Sequence, residues 1–173
     1  MAQAEKRGTG NSKLPSPHRR IEMFGGAQKG VVVCVKCGSY FYKKAWHHDA
    51  KAFLAKRENK GMPVMERLCP VDERLAQGKY GGKLVMTRVP ATEQKDLLNL
   101  VRGFCERAEE RDPLARLIAL TVKSGTVTVT VSENRLAQRL AKKISDAFKK
   151  KAVVAYLREP DDIAQIAIEF SGK

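Results

Sequence analysis

The chain has 173 residues, with 33 Lys and Arg against 19 Asp and Glu, a formal charge of +14 and a pI near 9.8. That length suits one compact domain or two small modules and excludes a very large enzyme core, while the surplus of cations points first to a polyanionic partner. No run approaches the roughly 18 apolar residues of a membrane span and the opening MAQAEKRGTGNSKLPSPHRR lacks an apolar signal core, so no membrane partner and a cytoplasmic location are expected.

Residues 1–29 are rich in Gly, Ser, Pro, Lys and Arg and lack helical or strand periodicity, which reads as a disordered basic arm. Arg19 and Arg20 are its RNA-contact candidates; an ordinary disordered terminus is the competing reading. Charge is uneven along the chain: residues 1–90 hold 18 basic and 7 acidic side chains, and residues 91–173 hold 15 and 12.

A module over residues 30–90 begins with the apolar run Val31–Val33, the knuckle Cys34-Val35-Lys36-Cys37-Gly38 and the aromatic cluster Tyr40-Phe41-Tyr42. A short helix is expected over Asp49–Arg57, then Cys69-Pro70-Val71-Asp72. Four cysteines in a reducing compartment read as metal ligands or buried thiols rather than disulfides. Cys-x-x-Cys-Gly after a strand, with Cys-Pro further on, is the spacing of a zinc ribbon, the glycine letting the backbone fold under the metal. A redox Cys-x-x-Cys is the alternative, but the residues after it look extended rather than helical. Cys34, Cys37 and Cys69 are the expected Zn2+ ligands. A second knuckle in the register of the first places Asp72 as the fourth, with His47 and His48 competing and a site without metal a further alternative. A strand is expected at 83–89 after the bend Gly78-Lys79-Tyr80-Gly81-Gly82, whose Gly-x-x-Gly matches a KH clamp only weakly because it does not join two helices.

Residues 91–173 read as a helix capped by Thr92 and ending before Asp112-Pro113, with Leu97, Leu98, Val101, Phe104, Cys105 and Ala108 on one face; Cys105 is thereby a buried thiol. Ile118, Leu120 and Val122 then alternate in one strand and Val127, Val129 and Val131 in the next, across a Ser124-Gly125 turn. Ser132 is expected to cap a second helix with the stripe Leu136, Ala137, Leu140, Ala141, Ile144, Ala147 and Phe148. A last hairpin pairs Val153–Arg158 with Ile163–Phe170. The order α-β-β-α-β-β predicts an α+β fold: an N-terminal zinc-ribbon-like module followed by an antiparallel sheet with both helices on one face, with a hint of αββ duplication.

Opposite the second helix's stripe stand Arg135, Arg139, Lys142, Lys143, Lys149 and Lys150, with Asp146 the acid among them. They read as an RNA-contacting face or as a solvated surface whose lysines suit the helix dipole. Tyr40, Tyr42, Lys36, Lys43 and Lys44 complete the RNA candidates, the tyrosines as stacking surfaces for unpaired bases. A catalytic zinc with His47, His48 and Asp49 is weaker: H-x-E and P-C-x-x-C, which nucleic-acid deaminases need, are both missing.

The knuckle, Trp46, Cys69-Pro70 with Asp72, Arg111-Asp112-Pro113-Leu114-Ala115-Arg116-Leu117 and Asn134-Arg135-Leu136-Ala137-Gln138-Arg139 resemble the short prokaryotic relatives of the large-ribosomal-subunit export adaptor, the nonsense-mediated mRNA decay protein three family. The resemblance covers about residues 31–170. Fuller members carry more knuckles and a further β-rich domain, so an export role does not transfer. What it implies is contact with ribosomal RNA, or with ribosomal proteins, in assembly, quality control or storage of the large subunit. A DNA-binding zinc ribbon of transcription is the alternative.

Overall fold

The computed structural model of the protein describes residues 30–157 and 163–170. The basic arm, Arg19, Arg20 and the last turn at Glu159–Asp162 lie outside the described residues.

Two sheets share the described chain. The first has the order β3-β2-β1-β4, from β1 (Val31–Cys34), β2 (Tyr40–Tyr42), β3 (Ala45–His47) and β4 (Val64–Arg67). β1 pairs antiparallel with β2 and parallel with β4, Val31 opposite Val64 and Cys34 opposite Arg67. The crossover between β1 and β4 carries helix α1 (Ala50–Ala55), which Asp49 caps by accepting from the Ala52 N–H, followed by a 3-10 turn at Arg57–Asn59. Tyr40 and Tyr42 turn inward against Phe53, and Val31, Ala50 and Met62 fill the same small core.

The second sheet has the order β6-β7-β5-β9-β8, from β5 (Gly82–Thr87), β6 (Leu117–Lys123), β7 (Thr126–Val131), β8 (Ala152–Leu157) and β9 (Ile163–Glu169). It is mixed rather than antiparallel, because β5 runs parallel to β9. The strand expected at 83–89 with the ribbon-like module thus lies at the centre of the second sheet. Its alternation explains this: Leu84 and Met86 are fully buried and need a partner layer that the small sheet cannot offer. The hairpins β6–β7 and β8–β9, each preceded by a helix, flank β5 on either side.

Helices α3 (Ala91–Arg111) and α4 (Asn134–Phe148) pack on the same core. On α3, Leu97, Val101, Cys105 and Ala108 are buried, and on α4, Leu136, Ala137, Leu140, Ala141 and Ile144. Full burial of each large aliphatic side chain contributes about 1.5–3 kcal/mol. Phe148 lies against Phe170, whereas Ala147 is exposed.

Both expected caps differ. α3 starts at Ala91 behind Pro90, whose carbonyl accepts from the Glu93 and Gln94 N–H groups, leaving Thr92 inside the helix. α4 starts behind Glu133, because the Ser132 hydroxyl is used elsewhere: it accepts from the Arg116 N–H and donates to the Leu114 carbonyl. In β6 a bulge between Leu117 and Ala119 resets the alternation, so Leu117 in place of Ile118 joins Leu120 against the core, while Val122, near the strand's end, is exposed.

The Gly78–Gly82 bend has a packing reason. A Cβ on Gly81 would meet the Ser132 carbonyl oxygen at 2.3 Å, and one on Gly82 would meet Ala137 Cβ at 2.3 Å. These glycines let the start of α4 sit directly on the start of β5.

Candidate metal centre

Cys34 ends β1, and the knuckle after it closes on itself: the Cys34 N–H donates to the Ser39 carbonyl at 2.8 Å and the Gly38 N–H to the Cys34 carbonyl at 3.0 Å. Gly38 sits at φ +72°, a left-handed turn open to glycine without strain. The Val35 N–H reaches the Arg67 carbonyl at 3.1 Å, so the knuckle is sewn to the end of β4. Two residues on, Cys69 opens helix α2 (Pro70–Ala76) as its N-cap, with its sulfur accepting from the Asp72 N–H at 3.4 Å. Pro70 occupies the first helical position, where its missing N–H costs nothing. The expected second knuckle is therefore the first turn of a helix, which still puts residues 69 and 72 on one side.

Cys34, Cys37, Cys69 and Asp72 converge, their donor atoms all within 4.8 Å of one another. The Cys37 and Cys69 sulfurs are 3.8 Å apart, close to the edge of about 3.8 Å that tetrahedral zinc with bonds of roughly 2.3 Å requires. Asp72 Oδ2 lies 3.2 Å from the Cys34 sulfur and 3.1 Å from that of Cys69. Cys34, Cys69 and Asp72 are buried and Cys37 is exposed, giving the cluster one open side. Three sulfurs and a carboxylate fit a soft divalent ion, and the surroundings fit thiolates: the Cys69 N–H donates to the Cys34 sulfur at 3.2 Å, and Ser39 Oγ is 3.0 Å from that of Cys37.

Sequence reasoning missed the residue that braces this cluster. Arg116, at the lead-in to β6, donates from Nη1 to Asp72 Oδ1 and from Nη2 to Asp72 Oδ2, both at 3.3 Å, and from Nη2 to the Cys69 sulfur at 3.1 Å. The usable signal was a lone arginine three residues after Asp112-Pro113, where the chain leaves a helix for a strand. Trp46, Val71, Leu75 and Leu114 wrap the two buried cysteines in apolar contacts.

Burial pushes the Cys69 thiol up from its ordinary value, and partial desolvation on the side facing the cluster raises that of Cys37. Burial also acts to raise Asp72, but hydrogen bonds from Cys69, Cys37 and Arg116 outweigh it and bring its carboxyl down to about 2. Without metal, protonated thiols thus donate to a carboxylate, and a cation bound there would replace their protons.

The competing ligands are occupied elsewhere. His47 Nε2 is 3.2 Å from the Tyr42 carbonyl oxygen, and its ring stacks on Tyr40; His48 Nε2 is 2.6 Å from the Glu109 carbonyl oxygen. Cys105 lies apart in the α3 core, its thiol raised to about 11 by burial and by Glu106 and Glu109.

The nucleic-acid candidates divide. Tyr40 is buried between His47 and Phe53, so its face is not offered to a base, and Tyr42 is half-buried with Lys43 over its ring. Lys36 is exposed on the knuckle, while Lys43 and Lys44 are exposed at the opposite end of the hairpin. Arg139, Lys142 and Lys143 are exposed along α4, Arg139 lying over the Phe104 ring. Among the described residues no helix is long and apolar enough to cross a membrane.

Comparison with known protein families, with curated proteins and with solved structures finds no match.

Proposed function

We propose that the protein is a non-enzymatic, zinc-binding RNA-binding protein that acts on the ribosome, with the large subunit as its site of assembly, quality control or storage. In this reading the small sheet is a zinc-ribbon-like unit, Cys34, Cys37, Cys69 and Asp72 hold the ion, and zinc's part is structural. The resemblance to the export-adaptor family supplies the ribosome; the chain's own charge supplies the RNA.

The observation that carries the RNA reading is the contrast between two neighbouring helices. α3 balances five acids against four bases, whereas α4 bears Arg135, Arg139, Lys142 and Lys143 against Asp146. None of those four cations lies within ion-pair distance of an acid among the described residues, although the Glu133 carboxylate at the start of α4 acts on Arg135 and Arg139. Solvation alone asks for mixed charge, while phosphate contact asks for one sign, because affinity then comes from released counterions.

The test is a tagged chain sedimented with ribosomal particles, beside a variant with Arg139→Gln, Lys142→Gln and Lys143→Gln. The substitutions lie on the surface and should each change stability by no more than about 0.5 kcal/mol. The parent should travel with the large subunit, and the variant should leave it at moderate salt. A variant that melts and sediments like the parent removes α4 from the reading. A parent that prefers duplex DNA to ribosomal RNA turns the protein into a transcription-associated ribbon.

A further inference from the structure

The β2–β3 turn contains two residues, because Tyr42 pairs directly with Ala45. Both are lysines in the left-handed region, Lys43 at φ 47° and Lys44 at φ 68°. A two-residue hairpin turn of that shape is the place for Asn-Gly, since a Cβ at positive φ crowds the backbone. The chain places cations where the geometry favours residues without long side chains. Strain of that kind persists where the displaced choice serves another purpose.

The surroundings indicate the purpose. At the same end of the small sheet the chain enters at Gly30, and β4 begins behind Pro63, whose carbonyl accepts from the Val31 N–H at 3.0 Å. The segment leading there carries exposed Arg57 and Lys60, and its Met62 and Phe53 pack beside Tyr42. Glu58 is the acid in that segment. Lys43 and Lys44 therefore stand exposed on a hairpin rooted in the aromatic core, at the end of the sheet to which the segment at residues 57–60 leads.

We propose that this hairpin is a second RNA contact, which grips the phosphodiester backbone through Lys43 and Lys44. The inference rests on the RNA reading above and adds to it a site on the metal-bearing unit, at the end of the sheet away from the metal. The competing explanation is edge protection: β3 is an edge strand, and lysines discourage another strand from pairing there.

Replacing the turn by its favoured residues separates the two, because stability and binding then move in opposite directions. The metal-replete full chain and its Lys43→Asn/Lys44→Gly variant are titrated with poly(U) RNA, ribosomal RNA and duplex DNA over a range of KCl concentrations. The variant should melt at a higher temperature than the parent. Its dependence of log affinity on log salt for poly(U) should flatten by up to about 1.4, roughly 0.7 for each lost contact to a single strand. A better-folded variant that binds RNA with the parent's affinity and slope overturns the proposal and leaves edge protection. A loss confined to duplex DNA overturns it as well. If the Asn-Gly chain fails to fold, Lys43→Asn/Lys44→Asn removes the same charges with residues that tolerate this backbone. A parent that binds neither RNA ends the RNA reading itself; binding by the parent, unchanged in the variant, ends this inference alone.

Discussion

Asp72 holds the fourth position of the cluster by two independent means. Its place three residues after Cys69 in a helix's first turn aims the carboxylate at the sulfurs, and Arg116 fixes both of its oxygens. The protein should therefore purify with about one zinc per chain, bound by four ligands. Cys34→Ser and Asp72→Ala should lose or weaken it, whereas Cys105→Ser, His47→Ala and His48→Ala should keep it, as elemental analysis will show. The pH dependence follows from the thiols. Cys37 and Cys69 are raised, so they hold protons that zinc must displace, and affinity should fall as pH drops. Asp72, brought down to about 2, stays ionised through that range and adds little to the slope.

Two glycines in different elements should respond oppositely to one methyl group. In β5, a Cβ on Gly82 would lie 2.3 Å from Ala137 Cβ, and both backbones are held by the sheet and by α4. Gly82→Ala should cost about 1–3 kcal/mol through overpacking. Gly103 is inside α3, where a new Cβ would meet the flexible end of Arg107 at 3.2 Å. Gly103→Ala should stabilise by up to about 1 kcal/mol, the difference in helix propensity. Urea unfolding of the two variants measures both, and a neutral Gly82→Ala would mean that α4 can shift away from β5.

For the whole molecule, Arg116 joins the two sheets at the cysteine–aspartate cluster. Its backbone belongs to the lead-in of β6, held by Ser132 at the end of β7, and its side chain ends among the ligands of the smaller unit. His48 makes a second tie to α3 through the Glu109 carbonyl. Removing zinc should therefore lower the thermal transition of the entire protein rather than of a separate part. Arg116→Gln should reduce zinc affinity about 10–100-fold, as loss of an outer hydrogen-bond partner does, and should shrink the gain in melting temperature that zinc confers. Calorimetry with and without chelator reads both effects.

The sequence by itself determined the elements whose signal is local. The periodicity of α3 and α4 named their buried faces and set Cys105 aside, alternating valines named β7, and the cysteine spacing named Cys34, Cys37 and Cys69 and placed Asp72 ahead of His47 and His48. Asp72 came out for a different reason from the one its spacing suggested, a helix's first turn in place of a second knuckle. Tertiary structure decided what depends on distant partners. Leu84 and Met86 carried β5 into the second sheet, where parallel pairing with β9 leaves no mark in either strand's own alternation. Ser132 gave up a capping role because Leu114 and Arg116 compete for its hydroxyl. Tyr40 became core because Phe53 and His47 close over it. Arg116 became part of the centre because a charged side chain 44 residues from Asp72 is placed there by the packing of two sheets, which no short-range pattern encodes.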